Sequence, residues 1–226
     1  MSLALAQAGA DMIVHDHQSL RGECERLCDE IDRFGVRSRI ITADFEAEAD
    51  YGRLIGKAAE VTGRLDVLIN NAAIFGEDSL GGADFGGLTR HMQINAWAPL
   101  VLGRDFARLA TKGQIINILD TRASGPFLYD LKHVSYVLSK HCLRVLTGMM
   151  ALEFAPGIRV NAIAPGLILP PPGKDEGYLQ EMARKVPLKM HGAPENITDA
   201  VLFLLGNDFM TGQVISVDGG RHLGEF

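Results

Sequence analysis

The chain has 226 residues, 47% of them hydrophobic and 22% charged, a globular make-up with enough apolar content for a sizeable core, which excludes a disordered or fibrous protein. A net charge of −6 with no Lys/Arg cluster argues against a nucleic-acid or anionic-membrane surface and points to a small-molecule partner. Three cysteines, Cys24, Cys28 and Cys142, make no disulfide framework in a chain of this size, and Cys24 and Cys28 without convergent histidines make a poor zinc site, so no metal is expected. No apolar run reaches the roughly 18–20 residues of a membrane span and no signal pattern opens the chain, so a cytoplasmic location is expected.

Ser2–Ala8 reads as the last two turns of a helix capped by Gly9, followed directly by a strand, Met12–His15. Helical spacing then covers Ser19–Phe34, Glu48–Thr62, Thr89–Ala110, Val134–Phe154, Tyr178–Lys185 and Pro194–Leu205. Between these lie short runs rich in Ile and Val: Arg39–Thr42, Val67–Asn70, Ile115–Leu119, Arg159–Ala164 and Val214–Val217. Such runs suit strands buried on both faces, and their alternation with helices predicts an α/β fold with a doubly wound parallel sheet. Ligands in these sheets bind beyond the carboxyl ends of the strands. No repeat or linker divides the chain, so residues 1–226 are expected to form one domain. A helix that starts at residue 2 has lost what preceded it, and the expectation is a chain truncated at its N-terminus, lacking the first strand and glycine-rich turn of such a sheet.

Chemistry concentrates around Tyr136-Val-Leu-Ser-Lys140. Tyr and Lys four apart share a helical face, so the ammonium can sit beneath the phenol, lower its pKa and make it a proton donor usable at neutral pH. The same chain carries Asn70-Asn71-Ala72-Ala73 at a strand end, Asn95 inside a helix, Asn161-Ala-Ile-Ala-Pro165-Gly166 after another strand, and Val217-Asp218-Gly219-Gly220 near the C-terminus.

In this order and spacing the motifs resemble the short-chain dehydrogenase/reductase family, over essentially Ser2 to Leu223. The resemblance implies a Rossmann-type fold, an NADP or NAD cofactor, and a proton relay in which Tyr136 is the acid, Lys140 lowers its pKa and holds the nicotinamide ribose, and Asn95 supports a water chain. It also implies that Asp44 and Phe45 lie by the adenine, Asn71, Ala72 and Ala73 along the cofactor, and Pro165, Gly166 and Ile168 against the nicotinamide. Where the family places a serine after the fifth strand, Asn117-Ile118-Leu119 is followed by Asp120, which resembles the pteridine reductase and dihydromonapterin reductase branch. Phe75, four residues after Asn71, matches an aromatic that stacks on the pterin in that branch, and the closing Asp218-Gly-Gly-Arg-His222 looks alike. A flat heteroaromatic substrate suits an aromatic wall, and a carboxylate can hydrogen-bond the phenol or the pterin N–H groups.

Other readings stay open. Asp120 can be a solvated loop residue with Thr121 or Ser124 as the working hydroxyl, and Phe75 can be ordinary core. Trp97 is expected to pack within its helix. His15 and His17, flanking Asp16, read as solvated loop histidines rather than metal ligands. Leu146, Met149, Met150 and Phe154 are expected to serve core and subunit interface, since family members commonly pair through this helix, giving a homodimer or homotetramer. The absent Thr-Gly-x-x-x-Gly-x-Gly turn implies poor cofactor binding by the chain as it stands. Asp16, at the end of the second strand of the family pattern, suits a ribose 2′-hydroxyl and so NAD(H), whereas the pteridine branch usually resembles NADPH enzymes and His17 or Arg21 can accommodate a phosphate. Leu167–Tyr178, rich in Pro and Gly, reads as a substrate lid. Three functions follow: reduction of a pterin-like C=N bond, an alcohol or 3-oxoacyl reductase of the same family, or a non-catalytic truncated subunit acting by association.

Overall fold

A computed structural model describes residues 1–17, 21–125, 130–171 and 173–224, and only the backbone of Arg21. Its six described strands are all parallel and fall into two sheets. In the smaller, β1 (Met12–Asp16) pairs with β2 (Ser38–Thr42), Asp16 lying opposite Thr42. In the larger, the order is β3 (Val67–Asn70), β4 (Gly113–Ile118), β5 (Ile158–Pro165), β6 (Val214–Val217). Registers of Asn70 with Asn117, Ile118 with Ile163 and Pro165 with Val217 bring the carboxyl ends of these strands to one edge. Among the described residues no ladder joins β1 to β3, and both keep partly exposed side chains where β4 and β5 are largely buried.

Helices cover both faces, as the apolar runs require. Along β4, Ile115 packs with Leu102, Phe106 and Met150, whereas Ile116 and Ile118 pack with Leu5, Ile197 and Leu204, the two-residue alternation of a strand buried on both sides. The first face is built by α3 (Glu48–Tyr51), α4 (Leu54–Thr62), α6 (Ala98–Leu109) and α7 (Val134–Glu153), the second by α1 (Ser2–Gln7) and α9 (Pro194–Gly206). The remaining helices are α2 (Arg21–Asp32), α5 (Phe85–Met92) and α8 (Glu176–Ala183). No described helix is long and apolar enough to cross a membrane.

Three helical expectations shift. The segment 48–62 is two helices, because Gly52 and Arg53 interrupt it; Gly52 packs so tightly that a Cβ would sit 2.9 Å from the Glu48 carbonyl oxygen. The helix expected from Thr89 starts at Phe85, where the Asp84 carboxylate accepts from the Gly87 N–H, a cap that Gly86 and Gly87 obscure in the apolar pattern. It reaches α6 through a π-helical turn, Gln93–Trp97. Ser19 and Leu20, expected to open a helix, lie outside the described residues, and α2 ends at Asp32 before Gly35 at φ +81°. Gly9 has φ +92°, as a cap of α1 requires.

The carboxyl edge is closed by the C-terminal turn. Gly166, just past β5, donates to the Val217 carbonyl at 3.0 Å, and a Cβ on it would meet the Asp218 Cα at 2.5 Å. Backbone cannot yield as a flexible side chain can, so Gly166→Ala is expected to cost about 1–3 kcal/mol, read as a lower urea midpoint at unchanged m-value.

Candidate active site

Helix α7 presents Tyr136 and Lys140 on one face, and its start is fixed from outside. No side chain at the N-cap position, His133, bonds the first turn; instead the Asp78 carboxylate, from the loop after β3, accepts from the Ser135 N–H at 3.1 and 3.2 Å and from the Ser135 hydroxyl. Tyr136, 7% exposed, donates its hydroxyl to Asp120 Oδ2 at 3.0 Å. Lys140, 2% exposed, donates from Nζ to the Ile118 carbonyl at 2.8 Å, with Nζ 5.8 Å from the Tyr136 ring centroid.

These surroundings correct the expected electrostatics. Burial first, then the charge and hydrogen bond of Asp120, raise the Tyr136 pKa well above that of a free phenol, opposed only by Arg122. Burial lowers Lys140 to about 8, partly offset by Asp120. The phenol is therefore not made more acidic by its surroundings; burial, and after it the carboxylate sixteen residues upstream in sequence, hold it protonated.

Asp120 caps the 3₁₀ turn Thr121–Ala123, accepting from the Arg122 N–H at 2.8 Å. Arg122 Nη1 donates to both Asp120 oxygens at 3.2 and 3.1 Å, and its Nε donates to Asp130 Oδ2 at 2.7 Å. That same oxygen lies 2.9 Å from His133 Nδ1. The His133 ring stacks on Phe75 with centroids 4.5 Å apart, Phe75 stands edge-on to Tyr136 at 4.8 Å, and the guanidinium lies 5.8 Å from the Phe75 centroid. Phe75 is 46% exposed, so it is not a core residue. Sequence reasoning missed Arg122, Asp130 and His133. Arg122 stands two residues from Asp120 and could have been found as its counter-charge, but nothing in the spacing of Asp130 and His133 announces a contact with either.

The alternative hydroxyls are committed elsewhere. Thr121 donates to Asp218 Oδ2 at 2.5 Å, and Ser124 donates to the Thr121 carbonyl at 2.9 Å. Asp218 also accepts from the Gly220 and His222 N–H groups, which folds the C-terminal turn against the loop carrying Asp120. Asn95, fully buried in the π-helical turn, accepts from the Ile74 N–H and donates to the Ile74 carbonyl and Ser139 hydroxyl, so its side-chain amide is bonded to protein partners at both ends. Trp97 is half exposed.

At the far end, Asp16 is 2% exposed, and neither carboxylate oxygen has a hydrogen-bond partner among the described residues. The Cys24 thiol, whose pKa is raised by burial and then by the Asp16 charge, is too weak a donor to satisfy it. His15 is not a solvated loop residue; its Nε2 lies 2.8 Å from the Ala43 carbonyl oxygen and its ring stacks on Phe45. Phe45 is itself buried, edge-on to Tyr51, leaving only its backbone free to meet a ligand. His17 is exposed, 3.4 Å from Asp44, which accepts from the Glu46 N–H. The Arg21 side chain and Pro172, within the expected lid, lie outside the described residues. Asn71, Ala72 and Ala73 form an exposed loop after β3, Pro165 ends β5, and Ile168 packs against the α9 side of the core. Within the expected lid, Leu167 is buried and Asp175 caps α8.

A family model described as enoyl-(acyl carrier protein) reductase matches residues 1–222. The granaticin polyketide synthase putative ketoacyl reductase 2 of Streptomyces violaceoruber is 33% identical over 195 residues, 81% of this chain and 76% of that protein. Oxidoreductase UcpA of Escherichia coli K12 is 31% identical, covering 97% of this chain and 88% of its own length. Among solved structures, FolM alternative dihydrofolate reductase 1 from Brucella canis, complexed with NADP, superposes with a TM-score of 0.90 at 31% identity, over 97% of this chain and 87% of that one. Acetoin dehydrogenase YohF from Salmonella typhimurium superposes with a TM-score of 0.87 at 28% identity, over 99% of this chain and 90% of that one.

The depressed Lys140 pKa has a thermodynamic consequence. Between about 8 in the folded chain and 10.5 in the unfolded one, the unfolded state binds the extra proton, so stability rises with pH in that window; the raised Tyr136 pKa acts oppositely, but only above about 10. The difference in Tm between the wild-type chain and Lys140→Met should therefore grow in favour of wild type, on the order of 5 °C, from pH 8 to 10. A pH-independent difference in a calorimetric series excludes the buried-lysine linkage.

Proposed function

The chain belongs to the short-chain dehydrogenase/reductase family of oxidoreductases, and from that premise we propose that it is an NAD(P)H-dependent reductase of a pterin-like C=N bond with Tyr136 as the proton donor. The observation that carries this reading is the Tyr136 phenol bonded to Asp120 beside the exposed face of Phe75. A bound nicotinamide supplies the hydride. Burial and Asp120 keep the phenol protonated, so it is a weak acid whose proton goes most readily to a basic acceptor, and an imine nitrogen is far more basic than a ketone oxygen. Once the proton has left, the phenolate faces the Asp120 carboxylate, which drives it back to the protonated form. Lys140 supplies positive charge beneath the ring during that interval. Phe75 offers a flat face to a heteroaromatic ring.

The FolM structures support the substrate class by name and a nicotinamide nucleotide by their complexes, which hold NADP, the 2′-phosphorylated form that Asp16 of this chain disfavours. A ketoacyl reductase reading has the 33% identical relative in its favour, but it needs a free hydroxyl beside Tyr136, and Thr121 and Ser124 both donate elsewhere. Asp16 fits the nucleotide end: two buried oxygens without donors suit the two hydroxyls of an adenosine ribose and oppose a 2′-phosphate. In this assignment Asp44 and the Phe45 backbone border the adenine, Asn71, Ala72 and Ala73 run along the nucleotide, and Pro165, Gly166 and Ile168 lie against the nicotinamide. Asn95 takes a positioning role, tying the loop after β3 to α7. Residues 1–226 act as one domain. A cytoplasmic homo-oligomer is proposed, pairing through the outer face of α7, where Leu138, Val145, Met149 and Leu152 form an exposed apolar stripe.

Three outcomes test these assignments. Tyr136→Phe should lower kcat for a dihydropterin at least about 100-fold with NADH binding unchanged, and undiminished turnover would remove Tyr136 from the chemistry. In fluorescence titrations NADH should bind at least about tenfold tighter than NADPH, with Asp16→Ser narrowing the gap; equal affinities at the outset contradict the role of Asp16. For the interface, the double variant Met149→Glu/Leu152→Glu should sediment as a monomer, and an unaltered mass places any interface elsewhere.

A further inference from the structure

We propose that Arg122 is a positioning residue for this reaction, holding Asp120 against the Tyr136 phenol and, through Asp130 and His133, fixing the Phe75 wall; the inference rests on the reading of Tyr136 and Asp120 as the reacting pair. Contacts around the site close into a ring: Tyr136 to Asp120, Asp120 to Arg122, Arg122 to Asp130, Asp130 to His133, His133 to Phe75, and Phe75 back to Tyr136. Arg122 is the one cation between two carboxylates in that ring, with all three side chains largely shielded: 16% exposed for Arg122 and Asp120, 21% for Asp130. Burial works against its charge, but Asp120 and Asp130 outweigh it, so its pKa stands above the ordinary arginine value.

A guanidinium suits this place where an ammonium does not. Its planar fork donates from Nη1 to Asp120 and from Nε to Asp130, two separate nitrogens in a fixed plane that a lysine's mobile ammonium does not reproduce. Without it, the two shielded carboxylates would lose the guanidinium they share, leaving Asp120 with the Lys140 ammonium and Asp130 with His133. Asp120 would then turn toward water and away from the phenol, and Asp130 would no longer be held in the place from which it orients His133. A displacement of about 1 Å in a reacting constellation costs on the order of 100-fold in rate.

Arg122→Ala should therefore lower kcat for a dihydropterin about 100-fold while leaving the NADH dissociation constant within about twofold, since Asp16 lies at the other end of the site. Added guanidinium should restore kcat at least about tenfold and methylammonium should not, because only the former reproduces the fork. A kcat close to wild type, or a loss that guanidinium does not relieve, overturns the proposal. Arg122→Lys, which keeps charge and bulk should the alanine variant fold poorly, should show the same loss; full activity in it is equally fatal. A second measurement needs no turnover, so it still decides if the wild-type chain reduces no pterin and the substrate reading fails. In ultraviolet tyrosinate titrations against a Tyr136→Phe background, Arg122→Ala should move Tyr136 to lower pH, as Asp120→Asn does, because Asp120 has left the phenol. A move to higher pH would show that Asp120 stays in place unaided and that Arg122 only screens its charge.

Discussion

The ammonium of Lys140 is buried beneath the sheet edge with no carboxylate in hydrogen-bond contact among the described residues, and it donates to the last carbonyl of β4, that of Ile118. Strand ends in a parallel sheet leave such carbonyls without a ladder partner, and a buried one needs a donor. The lysine meets that need, but at the cost of desolvating its own charge, which is why its pKa falls to about 8. The bond fixes how α7 sits on the sheet. One turn earlier on the same helix face, Tyr136 is thereby brought to the loop that follows β4, where Asp120 awaits it.

Polar ties of this kind recur along the carboxyl edge, and several converge on α7. Asn70 at the end of β3 donates to Asn117 on β4, which donates to Thr147 of α7. Asn95 joins the loop after β3 to Ser139, and Asp78 from that same loop holds the first turn of α7 through Ser135. Thr121 ties the loop after β4 to Asp218 beyond β6. A buried polar group that is satisfied fixes geometry more sharply than apolar packing does, because any shift leaves a donor or acceptor unmet. The carboxyl edge is thus held in a polar frame, while Phe75 and the loop at Asn71–Ala73 remain accessible on top of it.

How much of this could be read from residues alone depends on the range of the interactions concerned. Val67–Asn70 and Val214–Val217 emerge as strands residue for residue, because short runs rich in Val and Ile favour the extended pleat even where, as here, their side chains stay partly exposed. Tyr136 and Lys140 are legible because one helix carries both. The electrostatics between them are not, since the phenol's environment is set by Asp120 from another element and by burial that no local spacing records. The break at Gly52, the cap at Asp84 and the ring through Arg122, Asp130 and His133 were hidden for the same reason: each depends on backbone geometry or on partners brought together only by the fold.

The two acidic ends of the site differ in a way that bears on binding. Asp120 is compensated within the chain, by a guanidinium, a backbone N–H and the Tyr136 hydroxyl. Asp16 is buried, and apart from the weak Cys24 thiol no described group donates to it. An uncompensated buried carboxylate costs several kcal/mol in principle, and a fold bears that cost only where something else returns it. A ligand that presents two hydroxyls to Asp16 returns it at once, without asking the protein to break an existing bond. At the Asp120 end a ligand must compete with partners already in place, whereas at the proposed nucleotide end the Asp16 oxygens have no such partner among the described residues to displace.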